Sequence, residues 1–379
     1  MHIFTAQQAP QVATMLHTQA SKTMLIDQFL AALQSLPEAQ AELGWPASAE
    51  RPIEPEHDAE VALHVAGKSI HVIVELKKAV YPRDVREVLW QVRELAHKRQ
   101  TVQKGDEALV VLVADSISPG AKELLRAERV GYYDSGGSLY LPAPGAYFYI
   151  DKPPPKSLAR SMRSLFTGRR AQVLQGLLVR HKDWFGVKNL AEQARVSPAT
   201  VSQVFTELER FDWLESRGQG PSKQRHLREP AALLDAWAKQ LGSIPSPALR
   251  RYFVPSTKAG SLLERIGHVF AVHNVEYAIT HEAAAQCYAP FLSAISQVRG
   301  RLLAGSSADA AVGELGARVV NEGANLAIIE AKSSGDLLFR EQVGGIWLAN
   351  PIQIYLDLLR GEGRAKEMAE HLRQEKIGF

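Results

Sequence analysis

The chain contains a single cysteine, Cys287, among its 379 residues. One cysteine excludes an intrachain disulfide framework and a cysteine-based metal cluster. We therefore expect a reducing, cytosolic location. The N-terminal stretch MHIFTAQQAPQVATML lacks a basic segment followed by an apolar core, so we predict no signal peptide. No run approaches the roughly 18 apolar residues that a membrane-spanning helix needs, so we predict that no membrane is a partner.

The chain also has little net charge, because 44 Lys and Arg stand against 41 Asp and Glu and give a formal charge of +3. The segment from Arg160 to Glu229 departs from this balance with 13 basic and 7 acidic residues. Its excess of about six positive charges is typical of a surface that binds nucleic acid. The length suggests two or three domains.

Residues 190–210, LAEQARVSPATVSQVFTELER, predict two short helices separated by a tight turn. Ser197 is placed to cap the second helix, and Pro198 stands at the first helical position, where a missing N–H costs nothing. The buried side of this helix is predicted from apolar residues at helical spacing, which are Val201, Val204, Phe205 and Leu208.

Small and amide side chains remain for the open side of the second helix, as a helix that enters the major groove requires. The candidate DNA-binding residues on it are Ser197, Thr200, Ser202, Gln203 and Thr206. Residues 214–227 then predict two short strands around a Gly/Pro/Ser loop. Three cations of this segment are placed to reach phosphates, namely Arg217, Lys223 and Arg225.

Together with a helix predicted over 169–180, these features resemble a winged helix-turn-helix of the MarR-like or ArsR-like kind over roughly seventy residues. The resemblance implies a domain at 157–241 that binds double-stranded DNA. Two half-sites one helical turn apart suit a homodimer. Winged helices also serve as protein-docking modules, and this alternative stays open.

Near the N-terminus, residues 58–77 alternate apolar and other side chains and predict a hairpin with its turn at Gly67-Lys68. One face of the hairpin is wholly apolar, whereas the other gathers Asp58, Glu60, Glu75 and Lys77 at one end. A two-residue loop would fix three opposite pairs: Ala66 with Ser69, Glu60 with Glu75, and Asp58 with Lys77.

Carboxylates gathered in this way can hold Mg²⁺, and a lysine beside them can orient or activate a water. The pattern Asp58…Glu75-Leu76-Lys77 resembles the PD-(D/E)xK nucleases. The resemblance implies a restriction-endonuclease-like domain at 1–150. It also implies Mg²⁺ at Asp58 and Glu75, and catalysis by Asp58, Glu75 and Lys77 if the domain cleaves DNA.

The match to this family is incomplete. His57 precedes Asp58 where the family has proline. The predicted helix at 83–99 carries Gln91, but Leu95 stands where the RecB-like branch has tyrosine. The alternative is an ion-paired strand end with no chemistry, in which Asp58 and Lys77 form a cross-strand pair. Such domains also serve only to bind nucleic acid or protein.

Two stretches of the last third, 277–285 and 351–372, resemble the C-terminal part of AbiEi-type antitoxins, the transcription regulators of type IV toxin–antitoxin pairs. The residues that carry this resemblance are Gln353, Tyr355, Asp357, Gly363, Arg364, Ala369 and Glu370. The resemblance implies a DNA-binding autorepressor, a cognate toxin as partner, and a nucleotidyltransferase-like domain at 250–379.

Active nucleotidyltransferases pair a Gly-Ser with downstream aspartates that hold metal. Here Gly305-Ser306 is followed by Asp309 but by no Asp-x-Asp, and Thr280-His281-Glu282 lacks the Gly-Ser. We therefore predict a catalytically silent domain that dimerises or binds a partner. His281 and Glu282 are candidate ligands, although a polar helix start explains them as well.

The sequence thus predicts a multidomain α/β and α+β protein with a PD-(D/E)xK-like domain, a winged-helix domain and a nucleotidyltransferase-like domain. The predicted function is sequence-specific DNA binding in transcription regulation, as an antitoxin-like autorepressor. The alternative is a Mg²⁺-dependent DNA nuclease that acts through Asp58, Glu75 and Lys77, with the winged helix as its targeting module.

Overall fold

The computed structural model of the chain describes residues 9–44, 57–65, 67–90, 108–143, 146–255 and 261–379. They form a mixed α/β protein with two compact units, Met1–Ser161 and Met162–Phe379. The predicted winged-helix domain, from residue 162 onwards, and the predicted C-terminal domain fall within the second unit. Among the described residues, no helix combines the length and the apolar character needed to cross a membrane.

The first unit is built on one sheet whose strands follow chain order from edge to edge. Its helices are α1 (Ala9–Gln34), α2 (residues 82–90) and α3 (Pro119–Ala127). Its strands are β1 (Gln40–Leu43), β2 (Ala59–Val65), β3 (Lys68–Val80), β4 (Ala108–Ile117), β5 (Gly131–Asp134), β6 (Leu139–Ala143) and β7 (Ala146–Ile150).

The direction of these strands follows from their connections. Strands β1, β2 and β3 are antiparallel, as are β5, β6 and β7. The pairs β3–β4 and β4–β5 are parallel, because α2 and α3 lie in the intervening segments. Ser118 caps α3 by accepting the amide of Ala121 at 3.3 Å, and Pro119 begins that helix.

Both faces of this sheet are covered. Leu25, Phe29 and Leu33, four residues apart on α1, pack on one face. Val88 of α2 and Leu125 of α3 pack on the other. The side of the β2–β3 hairpin that was predicted to be apolar packs against α1 and contributes Val61, Leu63, Val65, Ile70, Val72, Val74 and Leu76 to that core.

The predicted register of the hairpin is wrong by two residues. Val65 pairs with Lys68 and Glu60 pairs with Ile73. Gly67 has φ +73°, a left-handed value that glycine adopts without a steric penalty, and the turn closes one residue earlier than predicted. A shift of two keeps each side chain on its face, so the core prediction survives the error. Residue Ala66 lies outside the described residues.

The second unit begins with two helices, and the segment from which DNA binding was predicted follows them. Helix α4 (Lys156–Leu165) crosses the division between the units. The elements that follow are α5 (Gly168–Val179), β8 (Trp184–Phe185), α6 (Val187–Gln193), α7 (Pro198–Arg210), β9 (Leu214–Arg217), β10 (Gln224–Leu227) and α8 (Pro230–Gln240). The strands form a small sheet in the order β8–β10–β9.

The rest of the second unit surrounds a seven-stranded sheet of order β14–β11–β15–β13–β12–β17–β16. Its strands are β11 (Leu249–Phe253), β12 (Tyr277–Thr280), β13 (Val298–Leu303), β14 (Arg318–Val319), β15 (Leu326–Ala331), β16 (Glu341–Val343) and β17 (Ile346–Leu348). Its helices are α9 (Leu262–Val272), α10 (His281–Tyr288), α11 (Ser306–Glu314), α12 (Pro351–Leu358) and α13 (Ala365–Leu372), followed by a π-helical turn (Arg373–Ile377).

One continuous apolar core joins the two parts of this unit, extending from Leu165 to Ile377. Helix α5 lies close to the C-terminal part at Gly176, where a Cβ would stand 3.0 Å from the Phe339 ring. One residue earlier, Gln175 donates a hydrogen bond of 2.5 Å to Gln353 of α12. The predicted DNA-binding segment is therefore packed on the C-terminal part.

Candidate nucleic-acid interface

Helices α6 and α7 form the predicted helix–turn–helix. The Ser197 hydroxyl accepts the Thr200 amide at 3.2 Å and also lies 2.9 Å from the Thr200 hydroxyl. Arg195 makes the turn with φ +51°, a left-handed conformation that non-glycine residues seldom adopt. Val201, Val204, Phe205 and Leu208 are fully buried, as the helical spacing predicted.

The open side of α7 carries the predicted polar residues. Ser202, Gln203 and Thr206 are exposed, and Thr200 is half-buried. Arg170, in the first turn of α5, donates a hydrogen bond of 3.1 Å to the Gln203 side-chain oxygen. The Thr206 hydroxyl donates to the Ser202 carbonyl at 3.0 Å, so its oxygen remains to accept a hydrogen bond.

Strands β9 and β10 and the loop between them, residues 214–227, form what we call the wing. Arg217 pairs with Gln224 across the wing. Its guanidinium donates twice to the Gln224 side-chain oxygen, at 3.0 and 2.8 Å. It also lies 4.1 Å above the ring of Trp184 in β8. These contacts hold an exposed cation in one orientation, which favours phosphate binding over a freely moving side chain.

Glu209 near the C-terminal end of α7 binds the other two predicted phosphate contacts. Its Oε1 accepts hydrogen bonds from Arg225 at 3.2 Å and Ser216 at 3.1 Å, and Lys223 lies 3.6 Å away. Burial opposes its ionisation, but the hydrogen bonds and positive charges around it hold its pKa below the usual value. Arg225, with 16% of its side chain exposed, thus also connects the wing to α7 through its ion pair with Glu209.

The structure therefore brings the predicted DNA-binding residues onto two adjacent elements, α7 and the wing. Sequence reasoning placed Arg170 in a basic run that either follows the DNA backbone or is a solvated face, and it missed Glu209 and Trp184, which hold Arg225 and Arg217 in place. A search for charge complementarity at the end of α7 would have found Glu209. No local pattern indicates the contact of Arg170 with Gln203, because the two residues are 33 positions apart in the chain.

In the first unit, Asp58 and Glu75 lie at one end of the β2–β3 hairpin. Asp58 accepts the Leu76 amide at 2.9 Å and forms an ion pair of 2.7 Å with Lys22 of α1. Glu75 forms its own ion pair of 3.0 Å with Lys77 on the same strand. The expected cross-strand pair of Asp58 with Lys77 is absent, and both lysines neutralise a carboxylate locally.

The fourth predicted member of this cluster, Glu60, is buried and hydrogen-bonded elsewhere. Its two oxygens contact His57 at 2.7 Å and His71 at 2.9 Å. Within the part of the chain that the structure describes, no group of three or more His, Cys, Asp or Glu side chains is arranged to hold a metal ion. Asp58 and Glu75 each have a lysine partner, so a Mg²⁺ at this place would have to displace Lys22 and Lys77 from the carboxylates. Gln91 and Leu95 lie outside the described residues.

The C-terminal part contains a buried polar cluster centred on Asp357 of α12. Arg301 donates to both of its oxygens, at 2.6 and 3.3 Å. Thr280 donates at 2.6 Å and Gln353 at 2.9 Å. Burial opposes ionisation of Asp357, but the Arg301 and His281 charges and these hydrogen bonds hold its pKa below the usual value. The cluster links β12, α12 and β13, and through the hydrogen bond of Gln175 to Gln353 it reaches α5.

The Thr280-His281-Glu282 passage is the start of α10. Thr280 is the residue before the helix, and its hydroxyl bonds to Asp357 instead of capping the helix. His281 is buried and has φ +57°. Gly305 and Ser306 begin α11, where Asp309 is exposed in the first turn.

Comparisons with known proteins identify no relative of the chain. No family model, no curated protein and no solved structure matches the chain. The functional argument therefore depends on the residues and contacts described above.

Proposed function

We propose that the chain is a sequence-specific regulator that binds double-stranded DNA through α7 and the wing. The observation that carries the proposal is the exposed polar side of α7, which includes Ser202 and Gln203 and lies beside the cations of the wing. The helix would enter the major groove and contact base edges, while the wing would hold phosphates.

The arrangement of the supporting contacts agrees with this role. Arg170 fixes the amide of Gln203, which leaves the Gln203 side-chain NH₂ group oriented for a base acceptor. Ser197 and Pro198 begin α7 at a helix N-terminus, where backbone N–H groups favour a phosphate. Arg217, stacked on Trp184, provides a second anchoring point on the wing.

Within this proposal, the chain acts as an AbiEi-type autorepressor with a nucleotidyltransferase-like C-terminal part that does not catalyse. Its support is that Asp357 of the Gln353-x-Tyr355-x-Asp357 run is fully engaged by Arg301 and Thr280, as a structural carboxylate is. A homodimer on two half-sites and a cognate toxin as partner are further parts of the proposal.

Fluorescence anisotropy with a labelled duplex from upstream of the protein's own gene tests DNA binding. We expect saturable binding that weakens with salt and that an excess of unrelated duplex does not abolish. Binding that is equal for both duplexes would contradict sequence specificity, and no binding at low salt would contradict the proposal itself.

Two variants separate base contacts from phosphate contacts in that assay. Gln203→Ala should cost about 1–3 kcal/mol on the cognate duplex and little on the unrelated one. Arg217→Ala should weaken both complexes and reduce the salt slope by about one. Arg318→Ala is the matched control, since Arg318 is exposed on β14, which pairs with β11 and belongs to a different sheet from the wing.

A Mg²⁺-dependent nuclease is the second candidate function. Its support is the order of elements in the first unit, with α2 between parallel β3 and β4 and with Asp58, Glu75 and Lys77 at one hairpin end. This arrangement resembles the PD-(D/E)xK core. The lysine pairs of both carboxylates weigh against it.

A gel with the same duplex, with and without Mg²⁺, distinguishes the two functions. A retarded, intact band in both lanes supports the regulator. Shortened fragments that need Mg²⁺ and disappear with Lys77→Ala, while that variant still binds, would establish the nuclease. Lys78→Ala serves as the control, because Lys78 is exposed on the same strand.

A further inference from the structure

A small cavity of about 160 Å³ lies in the C-terminal part, between the start of α10, β13 and the segment before α13. Its walls combine two acids and two arginines, which are Glu282, Glu362, Arg299 and Arg364. Ligand pockets for drug-sized molecules usually measure about 300–1,000 Å³. The cavity is therefore too small for a nucleotide and suits a molecule of only a few groups.

The charged side chains of the cavity differ in how they are bound. Arg299 uses its Nε to donate to Gln297 at 2.8 Å, and its terminal nitrogens have no hydrogen-bond acceptor among the described residues. The carboxylates of Glu282 and Glu362 form neither a hydrogen bond nor an ion pair within the described part of the chain. The cavity thus offers a guanidinium to an anion and two carboxylates to an ammonium group.

His281 precedes Glu282 in the chain and does not itself line the cavity, but its surroundings are unusual. Its side chain is only 6% exposed, and its Nδ1 has no hydrogen-bond partner in the described part of the chain. Its left-handed backbone, at φ +57°, is of the strained kind that clusters at binding sites. Burial lowers the pKa of His281, and the nearby charges of Asp357 and Arg299 act on its ring in opposite directions. A buried ring nitrogen without a partner needs an explanation.

We propose that this cavity binds a free α-amino acid. The carboxylate of the ligand pairs with Arg299, and its ammonium group pairs with Glu282 and Glu362. The four charged side chains of the wall sum to zero, although Arg364 is also paired with Glu367 at 3.0 Å, so the wall suits a zwitterion and disfavours a phosphate ester. The apolar wall, which includes Leu292 and Ile295, accommodates the side chain of the ligand. The proposal does not depend on DNA binding.

Isothermal titration calorimetry of the full chain with each of the protein L-amino acids tests the proposal without DNA. We expect at least one of them to bind with Kd below about 1 mM. Glu282→Gln and Arg299→Gln should each weaken that binding at least about tenfold. Because Glu362 is exposed, we expect Glu362→Gln to fold even if the other two variants do not. It should also weaken amino-acid binding.

Glu322→Gln and Arg318→Gln are matched controls, because both residues are exposed and lie outside the cavity wall. They should bind the amino acid as the unchanged protein does. The proposal is overturned if no amino acid binds, or if binding persists undiminished in the folded Glu282, Arg299 and Glu362 variants. Because no duplex is present, a failure here is distinct from a failure of the DNA-binding proposal.

Discussion

Two carboxylates of the second unit, Glu209 and Asp357, each bind an arginine but in different surroundings. In the pair Arg225–Glu209 both side chains keep some exposure, at 16% and 18%. In the pair Arg301–Asp357 the carboxylate is only 6% exposed, and both of its oxygens accept hydrogen bonds. The first pair lies where DNA would approach, whereas the second lies inside the protein.

The difference shows what each pair contributes. A partly exposed pair is weak, because water competes for both charges, and a phosphate can replace the carboxylate. Disrupting a buried pair costs much unfolding free energy, because the remaining partner is then a charge that is neither paired nor hydrated. We therefore expect Glu209 to modulate binding and Asp357 to maintain the fold.

Asp357→Asn should have the largest effect. It leaves the Arg301 guanidinium buried beside a neutral side chain, so we expect the second unit to lose about 3–5 kcal/mol of unfolding free energy. Urea denaturation followed by tryptophan fluorescence measures the loss. Glu330→Gln is the control, because Glu330 pairs with Arg250 at the surface and should matter by about 1 kcal/mol or less. Equal losses in the two variants would contradict the comparison.

Glu209→Gln should act on DNA binding more than on stability. It releases Arg225 and Lys223 from a negative charge, so we expect tighter binding and a salt slope steeper by about 0.9. Anisotropy titrations at several salt concentrations measure both quantities. Glu322→Gln, which removes an exposed charge outside the wing, should leave the slope unchanged. If Glu209→Gln leaves it unchanged as well, phosphates do not compete with this carboxylate.

The same carboxylate should produce a pH dependence. The pKa of Glu209 is lowered in the folded protein, so its contribution to stability is present above the ordinary value of 4.5 and is lost as pH falls through the folded pKa. The stability difference between the unchanged protein and Glu209→Gln should therefore shrink on acidification below the ordinary pKa. Urea denaturation at a series of pH values measures this difference. A difference that grows on acidification would contradict a lowered pKa of Glu209.

The sequence predicted the α7 surface well because its signals are local. Ser197 caps α7, Pro198 begins it, and the apolar residues from Val201 to Leu208 recur at helical spacing within it. The cap and the spacing together predict where the helix starts and which side is buried. The wing strands were predicted from a Gly/Pro/Ser loop between them, and β9 and β10 confirm them. The site residues placed on these elements remain predictions about DNA.

The Asp357 cluster was beyond sequence reasoning because its members come from separate segments. Thr280, Arg301 and Asp357 meet only when β12 pairs with β13 and α12 packs on them. The hairpin register failed for a related reason. Alternation predicts which face a residue occupies but not which residue lies opposite, and the turn at Gly67 decided that.

The smallest expected effect concerns the turn before α7, where Arg195 holds a left-handed backbone at φ +51°. Such a conformation costs a non-glycine residue about 1–2 kcal/mol, whereas glycine adopts it freely but loses about 0.5–1 kcal/mol of chain entropy. Arg195→Gly should therefore stabilise the second unit by roughly 0.5–1 kcal/mol in urea denaturation. Lys188→Gly, which replaces an exposed cation in the first turn of α6, should instead destabilise it by up to about 1 kcal/mol. If both glycines destabilise equally, Arg195 is not strained, and the helix–turn–helix owes its geometry to the packing of α6 and α7 alone.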